Sequence, residues 1–304
     1  MDNFTNLDTP VLLIIFNRPE QTREVFNSIR AVRPARLYVA ADGPRDDRPS
    51  DLESCSAARS IVDLVDWECE VKTLFQKSNL NCGKGPAAAI SWFFENEEYG
   101  IILEDDCVAS QSFFYFCQEL LLRYRYDDRV MEISGTNPLG RYRLKGYTYY
   151  FAKYGSSWGW ASWRRAWQHF DYNLSLYSKM REEGFLDNMF DWWINKQYFY
   201  NIYNNTIKDL ESIDWWDYQW EFARFINSGL TIVPRTNLVQ NIGFGDHATH
   251  TFFKVFKAPF AASELSFPIM HPPSVMQDIT SDRQYLKEFF KFKIYSQIRR
   301  RIPF

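Results

Sequence analysis

Ile101-Ile102-Leu103 runs without a break into Glu104-Asp105-Asp106. A short apolar run bounded by charge is a buried strand, and it leaves the three acids at the strand's carboxyl end. A helical pattern from Ala87 to Glu98 precedes it, and the same alternation recurs towards the amino terminus. Val71 to Phe75 leads into a loop at Asn79 to Gly85, and Leu37 to Ala41 ends at Asp42-Gly43-Pro44. Val11 to Phe16, after Pro10, is stopped by Asn17-Arg18-Pro19, with a helix-like pattern from Glu20 to Arg30. Strands alternating with helices imply an open, Rossmann-like parallel sheet with helices on both faces. Ligands in such sheets bind outside the carboxyl ends of the strands. The loops at Arg18, Asp42 and Glu104 to Asp106 all follow such ends, so one cleft can collect them.

Composition narrows what that cleft serves. With 304 residues, 46% hydrophobic and 24% charged, the chain is long enough for one large core or two lobes. A net charge of −3 and a pI near 5.9 give no global reason to expect nucleic-acid binding. Aromatic residues, 18% of the chain, crowd between Tyr142 and Phe256 beyond what a minimal core needs, which suits a pocket that stacks on flat ligands or sugar faces. The five cysteines form no CxxC pair and read as reduced, mostly buried thiols. Neither a leader-like segment nor an apolar stretch of roughly 18 to 20 residues is visible, so a cytoplasmic protein is expected.

Acids after a buried strand hold a hard divalent cation through oxygen ligands, Mn²⁺ or Mg²⁺ being the natural choices, while the cation bridges a diphosphate; a solvated turn is the competing explanation. Asp42 could accept a hydrogen bond from a base N–H or simply open a tight turn. Arg18 offers a fork of donors for phosphate or ribose, and Gly83-Lys84-Gly85 lets backbone and an ammonium approach an anion. In GSSWGWASW (155–163), Trp158, Gly159 and Trp160 are candidates for a sugar pocket, with core packing credible for two of the three tryptophans. In DWWDYQW (214–220), Asp217 is the candidate general base with Asp214 its rival, and a helix cap explains Asp214 better than Asp217. His247 and His250 in GDHATH could ligate a metal or bind phosphate.

Taken in order, these motifs resemble the Golgi N-acetylglucosaminyltransferases that initiate complex N-glycans and related bacterial glycosyltransferases. The resemblance spans roughly 11–250: Arg18, Asp42, the stretch from Gly83 through Trp92 and Phe93 to ILEDDCVASQSFFYF, ISGTNPLG, WGW with RRAW, DWWDYQW and VPRTNLVQNIGFGDH. It implies a GT-A fold, an open mixed sheet flanked by helices. Residues 1–134 would be the nucleotide-sugar-binding half, 135–250 the acceptor-side half of the same domain, and 251–304 a C-terminal extension. It further implies a UDP-sugar donor carrying N-acetylglucosamine or a related hexose, inversion at the anomeric carbon, and Mn²⁺ held chiefly by Asp106, with His247 a further candidate. Glu104 and Asp105 would contact donor sugar and ribose, Arg18, Asp42 and Lys84 the nucleotide end, and Asp217 would match the catalytic base. The family's adjacent pair of acids before an aromatic is here Trp216-Asp217, which keeps Asp214 in play.

The expected activity is therefore inverting, metal-dependent transfer of a sugar to a glycan or lipid-linked glycan hydroxyl, as in bacterial cell-surface polysaccharide synthesis. A sugar nucleotidyltransferase is the enzyme alternative, and a carbohydrate-binding or inactive scaffold module the alternative outside catalysis. From Ser281 onward cations alternate with aromatics, which would allow peripheral contact with the inner face of a membrane or packing of a terminal helix on the protein.

Overall fold

Val11–Ile15 (β1), Arg36–Ala41 (β2) and Tyr99–Glu104 (β4) carry almost nothing but branched or small apolar side chains, and nearly all are buried. Strands that read this way are covered on both faces. In the computed structural model, which describes residues 7–142, 144–190, 192–243 and 261–301, with side chains as far as 291, they are central strands of an eight-stranded sheet. Glu70–Phe75 (β3) lies at one edge, and β3, β2, β1 and β4 are mutually parallel.

The intervening helices follow from their spacing. Pro19–Arg30 (α1) begins with Pro at its first position and Glu20 in its first turn, and buries Thr22, Val25, Phe26 and Ile29 on one stripe. Ser50–Arg59 (α2) precedes β3. Asn81–Asn96 (α3) buries Ala87, Ile90, Phe93 and Phe94. Its start corrects the sequence reading, which placed a loop at Asn79 to Gly85. Gly83 and Gly85 look like helix breakers, yet they are there for close approach: a Cβ on Gly83 would meet the Tyr172 hydroxyl at 2.6 Å and one on Gly85 the Asp42 carboxylate at 3.2 Å.

Beyond β4 the sheet stops being parallel. Cys107–Ala109 (β5) leaves the sheet plane, Gln111–Arg123 (α4) covers one face, and Val130–Ser134 (β6) returns to the sheet. Tyr149–Ala152 (β7) forms the far edge. Trp160–Trp163 (β8) inserts between β4 and β6, antiparallel to both. The order is β3-β2-β1-β4-β8-β6-β9-β7, where β9 is Leu230–Pro234, and Val239–Asn241 (β10) pairs separately with β5. The sheet is thus mixed, as the resemblance implied, and strands from both halves interleave in it.

Alternating strand residues feed two cores. Val11, Leu13 and Ile15 face α1 and α4, while Leu12 and Ile14 face α3 and a tryptophan cluster. That cluster joins Trp160 to Trp167 of Arg164–Trp167 (α5) and to Trp216 and Trp220 around Asp217–Ile226 (α8). A third core lies among Tyr177–Glu182 (α6), Trp193–Lys208 (α7), α8 and Ile279–Arg301 (α9). Tyr285, Leu286 and Phe290 of α9 pack into it, and Asp282 accepts the backbone N–H of Lys153 at 3.1 Å and of Tyr154 at 3.4 Å. Through Phe290, then, the aromatics of this segment are committed to the protein. All five cysteines are free, with Cys55, Cys107 and Cys117 buried. Among the described residues no helix is long and apolar enough to cross a membrane.

One charged pair stands inside this apolar frame. Arg224 Nε lies 3.3 Å from Glu132 Oε2, with both side chains about as buried as the core leucines, at 3% and 2% exposure. Trp220 Nε1 donates to Glu132 Oε2 at 2.7 Å, Thr231 Oγ1 to Oε1 at 3.2 Å, and Arg224 Nη1 to Thr231 Oγ1 at 2.6 Å and the Lys153 carbonyl at 3.1 Å. Gly155 must lack a side chain because a Cβ there would collide with Glu132 Oε1. Removing one member leaves the other charge buried without compensation. Arg224→Met is therefore expected to cost about 3 to 5 kcal/mol of stability, read as a fall in the urea midpoint at unchanged slope. A loss below about 1 kcal/mol would mean that Glu132 finds other compensation.

Candidate active site

Three strand ends build the site. At the end of β1, Phe16 N–H donates to Asp105 Oδ2 at 3.2 Å. Arg18, at the head of α1, sends Nη1 to Asp105 Oδ1 at 3.4 Å and Asp106 Oδ2 at 3.1 Å. Its backbone carbonyl is taken up by the N–H and hydroxyl of Thr22, which fixes where the side chain starts. At the end of β4, Asp106 is also held from the β10 side: Asn241 Nδ2 donates to Oδ1 at 3.1 Å, and the Ile242 N–H donates to the Asp106 carbonyl at 2.8 Å. Gly243 lies so close that a Cβ would strike Asp106 Oδ2.

The acids therefore have different surroundings. Burial, then the charges of Asp106 and Asp105 and of Asp217, hold the Glu104 carboxyl well above its ordinary range, with Arg18 opposing. Asp105, only 7% exposed, is also pushed up by burial and by Asp106, against the pull of Arg18 and the Phe16 N–H. Burial works against the charge on Arg18, but Asp105 and Asp106 outweigh it and raise its pKa. Arg18 is thus a resident counter-cation for Asp105 and Asp106.

The charge of Asp217 adds to the upward shift of the Glu104 carboxyl. It is the first residue of α8, and its Oδ1 accepts the Tyr218 N–H at 3.1 Å. This corrects the capping expectation: the acid at the helix start is Asp217, while Asp214 lies three residues outside it, exposed. Asp214 and Glu104 both act on the thiol of Cys82, in the first turn of α3, which burial and then these two charges push up to about 11. The charge of Asp217 is among those that raise Glu104, and Asp214 with Glu104 among those that raise Cys82.

The remaining candidates are placed differently. Asp42 Oδ1 accepts the N–H groups of Gly43 and Leu80, both at 2.8 Å, and Oδ2 accepts Asn79 Nδ2 at 3.0 Å, so its carboxylate ties β2 to the start of α3. Lys84 pairs with Glu211 and lines a shallow groove of about 340 Å³ with Ser91, Phe170 and Tyr172. Trp160 is wholly buried among the tryptophans, a core residue and not the pocket wall expected of it. Trp158 is half-buried, its carbonyl accepting Thr136 Oγ1 at 2.9 Å. Gly159 takes φ +62°, and a Cβ there would press on Val239, so it serves the close packing of β8 under β10. His247 and His250 lie outside the described residues. Sequence reasoning missed Asn241 and Gly243, though both fall within the motif VPRTNLVQNIGFGDH.

Whether these residues suit a divalent cation depends on their oxygens. Among the described residues no three carboxylate, histidine or cysteine side chains converge into a cage. A hard cation that keeps its water and takes one or two carboxylates plus substrate phosphates needs no cage. Asp106, set at the strand end, fits such an ion in company with a diphosphate.

Glu221, one turn along α8 from Asp217, is a further acid the sequence did not single out. Its carboxyl is pushed up to about 8 by burial, with Asp217 and Glu132 adding to the shift and Arg224 and Lys153 opposing it. The folded state then binds this proton more tightly than the unfolded chain, where the group titrates at 4.5. Its contribution to stability falls as pH rises between those two values and is level outside them. Glu221→Gln should remove that slope, so the variant gains on the wild type in thermal midpoint between pH 5 and pH 8.5. An equal difference at both pH values would show that Glu221 titrates normally.

No family model and no curated protein matches this chain by sequence, so the likeness in motif order has no sequence family behind it. Among solved structures, the inositol-1-phosphate CTP transferase from T. maritima superposes with a TM-score of 0.42 and 9% identity, over 78% of this chain and 90% of that one. Similarity of that degree says nothing of chemistry, which must come from the residues themselves.

Proposed function

We propose that this chain is a metal-dependent transferase acting on a nucleotide-activated sugar, and that it passes the sugar, with inversion, to a hydroxyl of a glycan or lipid-linked glycan. The observation that carries this reading is the placement of Asp217, on the first turn of α8, within electrostatic reach of Glu104 in the acid cluster at the end of β4. One wall of the cleft then suits a diphosphate with its cation, and the other offers a carboxylate to an incoming hydroxyl.

Each residue has a task in such a reaction. Arg18 and Asp106 would set the diphosphate end, with Asp106 the holder of Mn²⁺ or Mg²⁺. Such an ion neutralises charge on a departing nucleoside diphosphate. Glu104, beside Asp105 and Asp106 at the end of β4, would contact the donor sugar. Asp217, at the first turn of α8, would accept the proton of the attacking hydroxyl. Asp42, clamped by the start of α3, would offer a base what acceptor capacity its carboxylate keeps. UDP is the donor nucleotide we expect, with N-acetylglucosamine or a related hexose attached.

Nucleotidyl transfer is the second reading, because Glu104, Asp105, Asp106 and Arg18 would serve a metal-bridged triphosphate equally well; Asp217 separates the two. A screen of UDP-sugars with Mn²⁺ and glycan acceptors, read as UDP release, is set against CTP or UTP with sugar 1-phosphates, read as pyrophosphate release. UDP release is expected, lowered about 100-fold or more in Asp217→Asn with donor affinity unchanged. Pyrophosphate release that survives Asp217→Asn would overturn glycosyl transfer in favour of nucleotidyl transfer.

A further inference from the structure

Next to the acid cluster, the turn after β1 carries a second arrangement of charge that the proposed reaction leaves unused. Asp51, the second residue of α2, is only 2% exposed. Its Oδ2 accepts Arg45 Nε at 2.6 Å and the Arg45 backbone N–H at 3.3 Å, and its Oδ1 accepts Arg45 Nη2 at 2.9 Å and Asn17 Nδ2 at 2.8 Å. The guanidinium held in this way lies over the ring of Phe16, with Cζ 5.2 Å from the centroid. Residues 16 to 18 tie the arrangement to the acids: the Phe16 N–H reaches Asp105, the Asn17 amide reaches Asp51, and Arg18 reaches Asp105 and Asp106. One carboxylate of α2 thereby joins the turn after β1 to the segment between β2 and α2, which carries both Asp42 and Arg45.

A buried ion pair can often be replaced by packed apolar side chains without loss of stability. What it offers instead is geometry, because a guanidinium gripped at two nitrogens keeps its plane. The Arg45 side chain remains 32% exposed, and its Nη1 takes no hydrogen bond among the described residues. It thus offers a flat surface and free N–H donors beside the proposed diphosphate end, with its charge already met by Asp51. Such a group suits the neutral, planar part of a nucleotide better than the phosphates. We propose that Asp51 is a positioning residue for the nucleotide side of the cleft, acting through Arg45 and Asn17, and that Arg45 on its Phe16 support contacts the nucleobase. The inference rests on the reading of Arg18 and Asp106 as the diphosphate end and adds what holds the base.

The test is calorimetric titration of the full chain with UDP and with ribose 5-diphosphate, a probe that lacks only the base, each in the presence of Mn²⁺. The wild type should bind UDP the more tightly of the two. Asp51→Asn, which releases Arg45, should weaken UDP about tenfold and leave ribose 5-diphosphate unchanged. Arg45→Lys, which keeps a cation against Asp51 but loses the plane, should weaken UDP severalfold, again with the probe unchanged. It decides the matter if Asp51→Asn does not fold. A merely structural role would move both ligands together, so a parallel fall in a folded variant overturns the proposal, as does undiminished UDP affinity or a wild type that binds the two ligands alike. Binding of neither ligand by the wild type would contradict the diphosphate reading itself, and this inference with it.

Discussion

Three consecutive carboxyl groups at the end of a buried strand repel one another, and everything at the site depends on how that repulsion is met. Two unit charges 4 Å apart interact by about 4 kcal/mol near a protein surface. Arg18 bridges Asp105 and Asp106, the Phe16 N–H reaches Asp105, and Asn241 reaches Asp106 from the opposite side. The first two follow the end of β1, the strand beside β4, and the third comes from β10, paired with β5. The parallel and antiparallel parts of the molecule thus meet at one carboxylate. Because Arg18 supplies a single charge, Glu104 and Asp105 remain biased towards the protonated state, which makes the cluster receptive to further positive charge.

The framework around the acids is rigid where it has to be. The Glu132–Arg224 pair fixes α8 to β6 from inside the core, and the tryptophans around Trp160 pack the same helix against β8 and α3. Asp217 and Glu221 are therefore presented from a helix that the core holds on two sides. The outer helical lobe is closed by α9 through Tyr285, Leu286 and Phe290.

How far the sequence discloses this depends on the range of the interaction. The strands β1, β2 and β4 are legible because their apolar runs are unbroken and polar turns stop them, and strand-end logic brings Arg18 and the acids together. The start of α3 is hidden because Gly83 and Gly85 answer to tertiary contacts and break the local pattern. Trp160 misleads because an aromatic beside a glycine reads the same in a pocket and in a core. Glu132 carries a faint signal, a lone charge in the buried strand VMEIS, but its partner is 92 residues away on α8 (132 to 224). The packing of Tyr285 against Tyr154 leaves no trace in either local sequence.

The account stands or falls on whether the acid cluster binds a metal only together with a nucleoside diphosphate. Calorimetric titration of UDP into the protein, with and without Mn²⁺, measures this directly, with Asp106→Asn as the matched control because it keeps the shape and loses the charge. UDP binding that requires Mn²⁺ in the wild type and is lost in a folded Asp106→Asn is the expected result. UDP binding that is indifferent to Mn²⁺, or equal in the two proteins, would contradict it.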